Sequence, residues 1–103
     1  MKPITDEAQV AIDFPDKVYM GSFSRSSRYD VKVEDGGLFL KLTKNSRPKR
    51  SFEVHLHHYL LVDILQDWAT ALESDDSLTD KDRTDLQDAF KSLSEALAAP
   101  KTD

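Results

Sequence analysis

Three imidazoles stand near the middle of the chain, His55, His57 and His58, with Glu53 just upstream. On an extended strand Glu53, His55 and His57 share one face, and two imidazoles at i, i+2 can ligate zinc or copper with a carboxylate as third ligand. There is no His outside this cluster and no Cys to complete a structural site. Surface imidazoles that hydrogen-bond or stack are the alternative, and no metal or cofactor is expected. Nucleophilic chemistry is equally thin, because the chain has no Cys and no nucleophile elbow, phosphate-binding loop or dinucleotide fingerprint. Asp75 and Asp76 are adjacent in a polar stretch open to solvent rather than forming the buried pair that acid–base catalysis uses. A non-enzymatic role is therefore expected.

Phe39 is the other residue with chemical potential. It alternates with Leu38, Leu40 and Leu42, so period two places it with Arg28, Lys32, Lys41, Thr43, His55 and His57 on the face opposite the leucines. A flat ring among cations is what base stacking with phosphate contact requires. Tyr19 or Phe23 can join it from a neighbouring strand. Phe39 can equally fill a dimer contact or pack under a loop, since strands favour aromatics. Lys44, Arg47, Lys49 and Arg50 put four bases in seven residues around a turn, with no acid among them. Such a loop can clamp a sugar-phosphate backbone or contact an acidic protein.

The elements that must position these residues follow from periodicity. Tyr29, Val31 and Val33 alternate with charged residues, Asp35-Gly36-Gly37 tolerates positive φ, and the leucine alternation resumes from Leu38. This is a hairpin. Residues 45–49 make a polar turn before Phe52, Val54 and Leu56 alternate as another strand. Lys17 to Ser24 reads as the first strand of the sheet, with either Val18 and Met20 or Tyr19 and Phe23 inward. Val10, Ile12 and Phe14 suggest a short extra strand. Beyond His57 the apolar period becomes helical: Leu61, Leu65, Trp68 and Leu72, with Ile64 beside them, predict a helix from His58 to Glu73. Thr79 is a good N-cap for a second helix bearing Leu86, Phe90, Leu93 and Leu97 and stopping near Ala99-Pro100, before a frayed tail. The fold expected is α+β, a four-stranded antiparallel meander followed by two helices packed on one face.

At 103 residues the chain is one domain's worth, with an N-terminal segment over 1–16, a sheet over 17–57 and helices over 58–99. The longest apolar run, Tyr59 to Val62, is too short to span a bilayer, so no membrane partner is expected. The acidic N-terminus lacks the pattern of a secretory signal, which makes the cytoplasm the expected compartment. The net charge of −5 argues against a generic polyanion binder. It conceals a split: residues 16–51 hold nine bases and four acids, whereas residues 52–103 hold four bases and twelve acids. A basic stretch can thus present a positive face that the total hides.

Arg28-Tyr29-Asp30-Val31-Lys32-Val33, then Gly37-Leu38-Phe39-Leu40-Lys41-Leu42, a basic turn, Arg50-Ser51-Phe52-Glu53-Val54 and a helix from His58 together resemble one repeat of the PUR family, over about residues 17–72. That family binds single-stranded DNA or RNA through repeats of four strands and a helix that pair intertwined, a group related in fold to the Whirly proteins. The resemblance implies that Phe39 and Lys41 lie near nucleic acid with Arg28 and Lys32 beside them. A lone repeat implies a homodimer. Leu38 stands where the family often has a basic residue, and an acidic helix follows the repeat. The competing expectation is a protein-interaction module using the same face.

Overall fold

The structure, a computed structural model, describes residues 1–100. Part of the expected frayed tail, residues 101–103, therefore lies outside the described residues. The chain forms β1 (Lys2–Pro3), β2 (Ala8–Phe14), β3 (Lys17–Phe23), β4 (Ser27–Glu34), β5 (Gly37–Lys44), β6 (Arg50–Leu56), α1 (His58–Glu73) and α2 (Asp80–Ala98). The class is α+β, with a four-stranded antiparallel sheet and two helices after it.

The membership of that sheet differs from the alternation-based expectation. Its order is β1-β4-β5-β6, and β3 pairs instead with β2 in a separate two-stranded sheet. The short extra strand over Val10–Phe14 is real and longer than its apolar core implied. Its two-residue link to β3 lets the pair zip along seven partners, from Phe14 opposite Lys17 to Ala8 opposite Phe23. Local pairing of this kind closes a minimal loop. The chain then turns at Ser24, whose carbonyl accepts from the Ser27 amide at 2.8 Å. The free edge of β4 is taken by β1, with Lys2 opposite Tyr29.

In β3 the inward set is Tyr19 and Phe23: Phe23 is buried, whereas Val18 and Met20 are 67% and 79% exposed. The core sits where the end of β3 meets β5 and the start of β4. Phe23 and Leu42 are its buried apolar residues, accompanied by Ser27 and Thr43. Among the described residues the hydroxyls of Ser27 and Thr43 have no hydrogen-bond partner.

Contacts divide the chain into two compact units, residues 1–65 and the segment from Gln66 onward, with the boundary inside α1. In the second unit Trp68 and Phe90 pair at 5.5 Å between ring centroids. The start of α2 is built by Thr79, whose Oγ1 accepts from the Asp82 amide at 3.1 Å while the Asp82 carboxylate accepts from the Thr79 amide at 3.2 Å. This reciprocal cap satisfies two amides that a helix start otherwise leaves bare. Along α2 the Asp85 carboxylate, 2.7 Å from the Lys81 ammonium, raises that lysine's pKa, first by hydrogen bonding and then by charge attraction. No helix among the described residues is long and apolar enough to cross a membrane.

Candidate nucleic-acid interface

The register of β4, β5 and β6 sorts the side chains into cross-strand rows. One face stacks Tyr29–Leu42–Phe52, Val31–Leu40–Val54 and Val33–Leu38–Leu56. The other stacks Arg28–Thr43–Ser51, Asp30–Lys41–Glu53 and Lys32–Phe39–His55. Alternation thus brings Arg28, Lys32, Phe39, Lys41, Thr43 and His55 together on the polar face as expected, and His57 follows His55 there at i+2.

The rings of that face touch in series. Phe39 meets His55 edge-on at 6.3 Å between centroids, and His55 meets His57 at 4.5 Å with planes 31° apart. The half-buried Phe39 and exposed His57 are the ends of a three-ring ribbon. Its middle ring is anchored, because the His55 Nε2–H donates to the Glu34 carbonyl at 2.9 Å, across the top of β5. Gly37 makes the crossing possible. A Cβ there would meet the Leu56 carbonyl oxygen, lie 3.1 Å from the His57 Cα and lie 3.2 Å from His55 Nε2. Sequence reasoning assigned Gly37 to the turn and missed its second task, for which a bare position opposite an imidazole was the available signal.

Charge on this face corrects the expectation of a basic surface. Arg28, Lys32 and Lys41 share it with Asp30, Glu34 and Glu53, so with neutral imidazoles the face is balanced. Lys41 lies 3.6 Å from Glu53 and Lys32 lies 3.7 Å from Asp30. A segment sum mixes both faces with the loops, whereas parity alone would have found the acids, since Asp30 and Lys32 are two residues apart on one strand.

The remaining basic residues fall elsewhere. Lys44 and Arg50 face each other in register at the parity of Leu42 and Phe52, on the face opposite Phe39, and Arg47 and Lys49 occupy the link between them. Tyr19 does not join Phe39, because β3 is not that sheet's neighbouring strand; its ring lies instead under the Arg50 guanidinium, 5.6 Å from centroid to carbon. No group of three His, Asp or Glu side chains among the described residues is placed to hold a metal ion. Glu53 and His57, four residues apart on a strand, are separated by about 13 Å of backbone rise, too far to share one ion.

Comparison with family models, curated proteins and solved structures yields no match.

Proposed function

We propose that this chain is a small, cytoplasmic, non-enzymatic protein that binds single-stranded DNA or RNA across the polar face of its four-stranded sheet, as a homodimer. The observation that carries this reading is the row Lys32–Phe39–His55, with Lys41 two residues along β5 and His57 extending the ring ribbon. Rings supply sequence-tolerant stacking worth about 1–3 kcal/mol per base, and the flanking lysines and Arg28 supply phosphate contacts. Arg47 and Lys49, in the link beyond the sheet, add cations between this face and the opposite one, which carries Lys44 and Arg50. Because Lys32 and Lys41 already have carboxylate neighbours, few counterions are released, and the affinity has a shallow salt dependence. The PUR-type resemblance points the same way, and a lone repeat of that type needs a second copy.

Titration of fluorescent single-stranded DNA and RNA at two salt concentrations tests the proposal. Binding at low salt that weakens about tenfold or more in the Phe39→Ala, Lys41→Ala double variant supports it. Absence of binding at low salt, or binding indifferent to the double variant, refutes it.

The balance of three acids against three fixed cations favours a second reading, a protein-interaction module on the same face. Pull-down from lysate with and without nuclease separates the two. A partner that survives nuclease and is lost with Phe39→Ala supports the module.

A further inference from the structure

Between the β2–β3 hairpin and the start of β6 lies a cavity of about 280 Å3, lined in part by Lys17, Tyr19, Arg50 and Phe52 and, among the described residues, by no acid. Three features of it require an explanation that the polar face does not provide.

The first is uncompensated charge. Lys44 and Arg50 are direct cross-strand partners, and like charges directly opposite one another destabilise a sheet. Neither they nor Lys17 has a carboxylate within salt-bridge distance among the described residues, whereas Lys32, Lys41 and Lys81 each do. Lys17 and Arg50, which line the cavity with no acid beside them among the described residues, are stabilised by an anion.

The second is a flat wall. The Arg50 guanidinium lies over the Tyr19 ring 5.6 Å from its centroid, a cation–π contact that leaves its edge donors available. Phe52 adds a second aromatic to the lining.

The third is that the Tyr19 ring is given its place by a missing side chain. A Cβ on Gly21 would collide with the Tyr19 hydroxyl and stand 2.8 Å from the ring carbon bearing it. The bare backbone at Gly21 thus lets the ring lie back along β3 over Gly21.

We infer that this cleft binds a nucleoside monophosphate moiety, its phosphate held by Arg50 and Lys17 and its base against Tyr19 and Phe52. The volume lies at the lower edge of small-molecule sites, which fits a single nucleotide rather than a longer segment. Bidentate guanidinium–phosphate pairing accounts for an arginine at this position. The moiety is either a free nucleotide or the phosphorylated end of a strand. The site uses the face opposite Phe39, so it stands whether or not the polar face binds nucleic acid.

Calorimetric titration of the full chain with AMP, adenosine, and a short oligothymidylate with or without a 5′-phosphate tests this. Saturable AMP binding, with adenosine at least tenfold weaker, is expected. Arg50→Gln and Tyr19→Leu should each weaken AMP at least tenfold, while Lys91→Gln, on the exposed surface of α2, leaves it unchanged. If AMP binds as tightly as the phosphorylated oligonucleotide, the source is free nucleotide. If the oligonucleotide binds more tightly and depends on its 5′-phosphate, the source is a strand end. Circular dichroism confirms that each variant is folded, and Lys17→Gln repeats the charge test away from the Arg50–Tyr19 stack. Equal affinity for adenosine, no binding of any phosphorylated probe at millimolar concentration, or AMP binding unchanged in Arg50→Gln and Lys17→Gln overturns the inference.

Discussion

Gly36 and Gly37 sit side by side and are needed for different reasons. Gly36 has φ of +74° with nothing within 4 Å of an added Cβ, so an alanine there meets only the intrinsic strain of left-handed backbone, about 1 kcal/mol. Gly37 has ordinary backbone, but an added Cβ would run into the carbonyl of Leu56 and the Cα of His57, neither of which can swing aside. Gly37→Ala is therefore expected to cost more than Gly36→Ala, about 2 kcal/mol or more. It should also displace His55 from the Glu34 carbonyl. Urea denaturation of the two variants checks the ranking, and the His55 imidazole resonances check the displacement. The pattern Asp-Gly-Gly announced the turn; that the second glycine also admits an imidazole from the neighbouring strand depended on the β5–β6 register.

Elements built from contiguous residues were readable along the chain. The helical period delimited α1 at His58 and Glu73, and Thr79 with acids in the following turn announced the start of α2, because these signals act within a turn or two. Positive φ at both Asp35 and Gly36 is what a two-residue hairpin link demands to match strand twist. Thr79→Ala removes the acceptor for the Asp82 amide and is expected to cost about 1 kcal/mol. Thermal melting followed by far-ultraviolet circular dichroism should show the midpoint lowered by several degrees, with Thr79→Ser restoring it. The assignment of β3 to a sheet was not readable in the same way. Alternation marks a strand and its two faces but does not name the neighbour, and here β1 and β2, both outside the expected sheet, took the pairing edges.

Across the whole molecule the apolar surface is covered unevenly. Val31 and Val33 belong to the apolar face of the four-stranded sheet, yet they are 51% and 88% exposed. Leu93 and Leu97 continue the α2 stripe into equally open positions. The proposed homodimer places a second copy against the Val31 and Val33 end of this face, at the opposite end of the strands from Lys44 and Arg50, while the polar face remains available to ligand. Val31→Lys with Val33→Lys should leave the monomer fold intact, since these side chains are already largely solvated, but weaken self-association about tenfold or more by burying unpaired ammonium groups at the contact. Sedimentation equilibrium of parent and variant measures this. A parent that stays monomeric at all accessible concentrations removes the dimer from the proposal.

By itself the sequence determined the faces of β4, β5 and β6, the Asp35-Gly36 turn, the helix limits and the cap at Thr79, because each follows from interactions between residues a few positions apart; the facing of β3 was settled only by the structure. It also placed Phe39, His55 and His57 on one face, since parity on paired strands carries over once the hairpin is known. Only the tertiary structure decided which strands are neighbours, that Asp30 and Glu53 flank Lys41 in one row, and that Tyr19 lies under Arg50 beside a cleft that Lys17 also lines. Those features join residues between 11 and 31 positions apart in the chain. Pairing across such separations is settled by competition among strands for edges and apolar cover, which no local pattern encodes.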